Sequence, residues 1–298
     1  MSDLQVQIQY GKLFINGKLI DIGGFAVMHE VSRGANGIVI IGKDEYLNRT
    51  VAVKIWLKLR HKDKRDKISQ GIAEARKAYA AAGHQVVNIF NAGVSGGHFF
   101  IVMEYFDGPS LRTWLARTPP PSFLWCWNLA EGVLSCAKQH SVAGIFHGDL
   151  HLGNILVRES GDGYFSEGGD FKIIDFGTSL FSNRGFSMRR HNKLLLELID
   201  TLLSPFKFLQ LMSKSPEMNE VWATGTDDPN FVSSLLDYVT MVREGLGEYG
   251  YFRRWTSQDG QTFQHDIFDP AIFRNRLPNF ERQYGLKPNP LYLEDRED

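Results

Sequence analysis

The chain has 298 residues, of which 43% are hydrophobic and 22% charged, and its formal net charge is −1. That balance supports one large folded domain or two ordinary ones and rules out a disordered chain. It gives no global electrostatic case for a nucleic-acid or membrane-surface partner.

The N-terminus, Met1-Ser2-Asp3-Leu4, has no basic patch followed by an apolar segment, so no secretory signal is expected. Gln5 to Tyr10 and Leu13 to Ile15, with turn residues Gly11 and Asn16-Gly17, form a hairpin signature that leads into Lys18 to Ile22. Ala26 to Val31, Gly37 to Gly42 and Thr50 to Trp56 follow as three strands, antiparallel by their short connections. The basic stretch Lys58 to Lys67 reads as a solvated helix entry or loop, or else as a docking patch for an acidic partner. Ile68 to Ala82 is alanine-rich with Ile72 and Tyr79 seven residues apart, and reads as a helix.

Two more strands, Val87 to Gly93 and His98 to Met103, are joined at Ser95-Gly96-Gly97. After Phe106 to Pro109 the pattern turns helical, with Phe123, Trp127, Ala130, Val133, Leu134 and Ala137 on one stripe. Cys126 and Cys136 lie ten residues apart on this helix. At ~1.5 Å per residue that separation is about 15 Å, beyond disulfide reach. Both cysteines read as buried small apolar groups, and the chain as cytoplasmic. Trp125 and Trp127 read as packing residues. Short strands at Ile155 to Val157 and Phe171 to Ile174 bracket a glycine-rich hairpin, Gly161 to Gly169. Helices are expected at Asn192 to Leu203 and Phe231 to Gly245, and a largely helical character from Phe206 to the acidic tail at Glu294 to Asp298. The longest apolar runs, Phe99 to Met103 and Gly37 to Ile41, fall far short of the ~20 residues of a membrane helix.

Several short motifs carry chemistry. Ser32-Arg33-Gly34-Ala35-Asn36-Gly37 joins two strands, and glycines there allow backbone N–H groups to lie over phosphates without an obstructing Cβ. A turn containing two glycines is also simply a turn. Val51-Ala52-Val53-Lys54 follows, with a lysine that can point back beneath that turn. Glu74 is a carboxylate on the alanine-rich helix, and pairing with Lys54 would lift it above a solvated surface residue.

The second half is more specific. His147-Gly148-Asp149-Leu150-His151-Leu152-Gly153-Asn154 places an amide five residues after a carboxylate, and Lys172-Ile173-Ile174-Asp175-Phe176-Gly177 is an apolar strand ending in an acid and a glycine. One carboxylate, Asp149, suits the orientation and deprotonation of an attacking hydroxyl. An amide oxygen and a second carboxylate, Asn154 and Asp175, suit hard Mg²⁺ on phosphates. His147, His151 and His191 stand among aspartates, which favours hard-cation chemistry over zinc.

In order and spacing, the glycine turn, Lys54, Glu74, Met103-Glu104-Tyr105, Asp149 with Asn154, and Asp175-Phe176-Gly177 resemble the protein-kinase-like superfamily over about residues 26 to 205. The resemblance implies an α+β, two-lobed fold. Its parts are an N-terminal β-hairpin extension (1–25), an antiparallel β-sheet N-lobe (26–105) and a mainly helical C-lobe (106–298). It implies ATP in the cleft beneath Ser32, Gly34 and Gly37, sandwiched by Val39 and Ala52, with Met103 at the back and Glu104, Tyr105 and Phe106 offering backbone hydrogen bonds. By the same resemblance Lys54, held by Glu74, grips the α/β-phosphates. Asp149 acts as base, His151 contacts the transferring phosphoryl group, and Asn154 and Asp175 hold Mg²⁺.

Three departures bear on the acceptor. Ser32 replaces a glycine, Gly148 stands where protein kinases usually carry arginine, and His151 stands where they usually carry lysine. His-Gly-Asp-Leu-His is also typical of aminoglycoside and choline kinases. No Ala-Pro-Glu follows Gly177, and about a dozen residues, Thr178 to Arg190, precede the next helix. Arg189, Arg190, His191 and Lys193 form a basic stretch that suits an acidic acceptor. The expected activity is therefore ATP- and Mg²⁺-dependent transfer to a serine or threonine hydroxyl of a protein substrate, with this chain itself a candidate by autophosphorylation. A small-molecule kinase and a nucleotide-binding pseudokinase or interaction module are the alternatives.

Overall fold

The computed structural model describes residues 5–34, 37–57, 67–116, 123–158, 170–176, 184–203, 225–248, 252–256 and 262–266. Lys58 to Arg65 of the basic stretch, the Gly161 to Gly169 hairpin, Gly177, Thr178 to Asn183 and the acidic tail lie outside the described residues.

The N-terminal extension is a three-stranded antiparallel sheet, β1 (Val6–Gln9), β2 (Lys12–Ile15) and β3 (Lys18–Ile20), in that order. It is more than a hairpin because Asn16-Gly17 returns the chain a second time, with both residues at positive φ, as a two-residue turn of this hand requires. The next sheet contains β4 (Phe25–Gly34), β5 (Gly37–Asp44), β6 (Thr50–Trp56), β7 (Ile89–Ser95) and β8 (His98–Glu104), in the order β4-β5-β6-β8-β7, all antiparallel. Leu13, Ile15, Ile20 and Ile22 from the extension share one apolar cluster with Ile38, Ile40, Val51, Val53 and Ile55, which fixes the small sheet onto the large one. Each such fully buried aliphatic side chain contributes about 1.5–3 kcal/mol.

Helix α1 (Lys67–Ala80) packs on the other face of this sheet. Its buried residues, Lys67, Gln70, Gly71, Glu74, Ala75 and Ala78, repeat at helical spacing, so one stripe of mostly small side chains faces the sheet. Lys67, read from sequence as part of a solvated stretch, is buried at the helix start and donates to Gln70 Oε1 at 3.2 Å. Gly71 is where the helix comes closest. A Cβ there would lie 2.4 Å from the Phe99 ring and 2.8 Å from that of Trp56.

The second lobe is built on α3 (Phe123–Val142), preceded by the short α2 (Leu111–Leu115) that Ser110 caps. Trp125, Trp127, Cys126 and Cys136 are buried, and the two cysteines form no disulfide, as the helical separation requires. α4 (Arg184–Leu203) and α5 (Phe231–Glu248) pack against α3. A small hairpin of β9 (Ile155–Val157) and β10 (Phe171–Ile173) lies under the cleft. It is joined to the N-lobe where Ile173 N–H donates to Gln85 O at 2.7 Å.

Two expectations are corrected. α4 starts at Arg184, well before Asn192, so fewer residues separate Asp175 from the helix than the sequence indicated. The expectation of a largely helical C-terminal stretch is corrected at two segments: α5 is helical, but β11 (Phe252–Thr256) and β12 (Thr262–Asp266) pair as an antiparallel hairpin, and most of the stretch lies outside the described residues.

Candidate active site

Lys54 is on β6, Glu74 on α1 and Asp175 just past β10, and they meet in one cluster. Lys54 Nζ is 2.5 Å from Glu74 Oε1 and 2.7 Å from Asp175 Oδ1. Both Lys54 and Glu74 are buried, while the Asp175 side chain remains 38% exposed. Burial works against the Lys54 ammonium, but Asp175 and Glu74 outweigh it and raise its pKa, so the lysine stays charged. Glu74 is pushed above the usual carboxylate range, mainly by burial. Two carboxylates on one ammonium leave a surplus of negative charge, and Asp175 is the member open to a further cation. Its backbone sits at φ +57, a left-handed conformation that aspartate tolerates better than most residues and that recurs at functional sites.

The His147–Asn154 loop is tied to the segment that follows β10. His147 is buried and its pKa is pulled down to about 4, chiefly by that burial, so the ring is neutral. Nε2–H donates to Ile174 O at 2.9 Å, and Nδ1 accepts from the Asp149 N–H at 3.3 Å, which settles the tautomer. The ring also packs on Phe176, with centroids 4.6 Å apart. Asn154 is buried and its Nδ2 donates to Asp149 O at 2.9 Å, so its oxygen is the atom that can serve a hard cation. Asp149 itself keeps a half-exposed carboxylate, with Oδ2 4.0 Å from His151 Nε2. His151 caps the turn Leu152–Asn154, its Nδ1 accepting from Gly153 N–H at 2.9 Å, which leaves Nε2 toward Asp149.

Between these groups and the N-lobe sheet lies a cavity of about 640 Å³. Ser32, Val39 and Ala52 line one side, Met103 to Phe106 line the connection between lobes, and Asp175 also contributes to the wall. Leu156, Ile174, Ile41 and Val87 are among the other residues that line it, and sequence reasoning did not assign these four to the site. The signal for Leu156 was present. In β9 its neighbours Ile155 and Val157 turn into the core, so by strand alternation Leu156 turns the other way.

Gly34 and Gly37 frame the turn and pair with each other at the end of the β4–β5 ladder, while its tip, Ala35-Asn36, lies outside the described residues. Gly34 faces open space. Gly37 is needed for another reason: at φ +148, a Cβ would lie 1.9 Å from Ile55 O. Glu104 contributes more than backbone. Its carboxylate accepts from Lys172 Nζ at 3.0 Å and from Asn88 Nδ2 at 2.9 Å, tying the interlobe connection to β10.

The basic stretch on α4 is not the free patch expected from sequence. Arg189 pairs with Asp227, Lys193 lies 3.9 Å from Glu197, and His191 is buried against Phe146 with its pKa lowered to about 3, mainly by burial. Arg190 is drawn to the Gly148 carbonyl. Among the described residues no group of three or more histidine, cysteine or acidic side chains is arranged to bind a metal.

A family model described as the protein kinase domain matches residues 25–193. The chain belongs to the protein kinase domain family. The kinase domain is 27% identical over 161 residues to the serine/threonine-protein kinase PrkC of Bacillus subtilis, covering 54% of this chain and 23% of PrkC. It is 30% identical over 174 residues to a probable serine/threonine-protein kinase PknB of Lactococcus lactis, covering 57% of this chain and 25% of that one. The matches thus span about a quarter of each relative. Among solved structures, that of Rad53 1-466 in complex with AMP-PNP superposes with a TM-score of 0.53 at 18% identity, covering 72% of this chain and 64% of the other, a likeness of fold.

Proposed function

We propose that this kinase domain transfers the γ-phosphate of ATP to a serine or threonine hydroxyl of a protein. The observation that carries the reading is the cluster of buried Lys54 and Glu74 with Asp175, assembled from both lobes, with Asp175 in the wall of a cavity large enough for a nucleotide. The named bacterial relatives support the protein hydroxyl as acceptor. The basic stretch on α4 adds less to it than its sequence implies, since Arg189 and Arg190 have partners within the chain and His191 is buried and neutral.

In this reading the adenine lies between Val39 and Ala52, with Met103 behind it and the backbone of Glu104 to Phe106 beside it. Lys54 neutralises phosphate charge, and Glu74 keeps its ammonium in place. The donor set of Asp175 and Asn154, a surplus carboxylate with a free amide oxygen, fits Mg²⁺, which would neutralise charge on the phosphates. Asp149 orients the acceptor hydroxyl and takes its proton, and His151 Nε2 is placed to donate toward the transferred group. The protein acts in the cytoplasm, in keeping with two buried cysteines that form no disulfide. Its partners are protein substrates, this chain among them.

The test is incubation with γ-labelled ATP and Mg²⁺, and mass spectrometry of the protein and of an added cell extract. Label is expected on serine or threonine, and not on kanamycin or choline offered in parallel. Asp149→Asn should lower turnover by about 10²–10⁴-fold with nucleotide still bound. Efficient turnover of either small molecule, with no labelled protein, would refute the acceptor class. Full nucleotide binding with no transfer to anything would favour a pseudokinase.

A further inference from the structure

The catalytic loop carries Gly148 between His147 and Asp149, and the fold brings a guanidinium to that point from a distant part of the chain. Arg190, in the first half of α4, donates Nε–H to Gly148 O at 2.9 Å. Its Nη2 stands 4.0 Å from Asp149 Oδ1. The other oxygen of the same carboxylate, Oδ2, stands 4.0 Å from His151 Nε2. Each oxygen of Asp149 therefore has one side-chain nitrogen 4.0 Å away, near it but beyond hydrogen-bond distance. Gly148 is at φ +79, a left-handed conformation, and a fixed donor on its carbonyl holds the peptide ahead of Asp149 in place.

An exposed arginine near a carboxylate is ordinarily worth little, because a long side chain must be held in one geometry. Here much of that ordering is done by the neighbours. His191, the next residue, is buried against the Phe146 ring. Asn192 is also buried and donates to Thr226 O at 2.8 Å. Arg189, the residue before, pairs with Asp227. The turn of α4 that presents Arg190 is thus anchored on both sides, and a planar guanidinium can serve the carbonyl and the carboxylate together.

We infer that Arg190 is a positioning residue for Asp149: it fixes the Gly148 peptide and holds the carboxylate in the orientation that receives the acceptor proton. The inference rests on the kinase reading above. Arg190 is assigned no contact with nucleotide, so its loss should act on turnover and leave nucleotide affinity alone.

The test uses the full chain with Arg190→Ala, Arg190→Lys and Asp149→Asn, and the Arg190→Ala/Asp149→Asn double variant. Displacing a base by even part of an ångström lowers rate by about 10–100-fold, so kcat of Arg190→Ala should fall in that range. The Kd for Mg·ADP and the melting temperature should stay at wild-type values. Arg190→Lys, which keeps one donor and the charge, should recover part of the loss. In the Asp149→Asn background the same removal should change the residual rate less than twofold, because the group it positions is gone. A separate readout needs no turnover: amide hydrogen exchange at Asp149, whose N–H is held by His147, should quicken in Arg190→Ala. Unchanged kcat and exchange in Arg190→Ala, or equal losses in both backgrounds, would overturn the inference. Failure of the kinase reading looks different: the wild type transfers no phosphate, or Asp149→Asn leaves transfer intact, while the exchange measurement still decides whether Arg190 holds the loop.

Discussion

Acidification from pH 7 to 5 should destabilise this protein through two buried histidines. His147 and His191 are 3% and 2% exposed, and burial depresses their pKa values from 6.5 to about 4 and about 3. In the unfolded chain both take up protons as pH falls through 6.5, whereas in the folded chain both stay neutral until far lower. The unfolded state therefore binds more protons over this window, and stability present above pH 6.5 is lost as pH falls toward 4. At about 1.4 kcal/mol per unit, each histidine removes about 2 kcal/mol by pH 5, and together about 4 kcal/mol. That is a large part of the 5–15 kcal/mol typical of a domain. His98 and His140, also depressed mainly by burial, act in the same direction; Glu74, raised mainly by burial, opposes them. Urea unfolding at both pH values, on the wild type and on His191→Leu, isolates one group. The variant should lose about 2 kcal/mol less than the wild type between pH 7 and 5. An identical pH dependence in the two proteins would refute the burial argument for His191.

Gly71→Ala forces a Cβ against the Phe99 and Trp56 rings, so α1 must move off the sheet. It should cost about 1–3 kcal/mol in urea unfolding and weaken nucleotide binding by calorimetry; wild-type values for both would show that α1 is not held by this close approach. Lys172→Met leaves the Glu104 carboxylate with only Asn88 of the two partners described above, and should cost about 1–3 kcal/mol, with nucleotide affinity reduced because Glu104 lies in the cavity wall. Adding Glu104→Gln should restore part of the stability; if it adds a further full loss, the pair is not the cause.

Much of the site was legible because its signals are local. Lys54 closes the motif Val51-Ala52-Val53-Lys54 within one strand, Glu74 is the one acid on an alanine-rich helix, and Asp149, Asn154 and Asp175 stand in short ordered motifs. What was not legible depends on residues far apart in the chain. Arg189 and Lys193 look like free cations in sequence, and nothing local tells that Asp227 lies beside the first. Lys172 stands in a short strand, and nothing local tells that Glu104, 68 positions away, lies against it. The early start of α4 escaped because Arg184 to Arg190 lacks apolar periodicity, and contacts with Gly148 and Asp227 hold that part of the helix. The β11–β12 hairpin is a different case. Asp259-Gly260 between Phe252 to Thr256 and Thr262 to Asp266 is a recognised turn signal, and a general helical reading of the C-terminal stretch passed over it.

The two groups assigned to the cation come from different loops, and one residue, Ile174, ties them together. Its N–H donates to Asn154 O at 2.9 Å, and its carbonyl accepts from His147 Nε2–H at 2.9 Å. The next residue, Asp175, holds a left-handed backbone that by itself costs of order 1–3 kcal/mol. That conformation directs the carboxylate to Lys54, and the ion pair and the two bonds on Ile174 offset it. His147 must be neutral to complete the arrangement, because its Nδ1 also accepts the Asp149 N–H. Protonating it would place a second N–H against that donor, so the acid sensitivity of the fold and the geometry of Asp149, the proposed base, share one ring. A site organised in this way should lose its alignment at the acid end together with its stability, since His147 belongs to both.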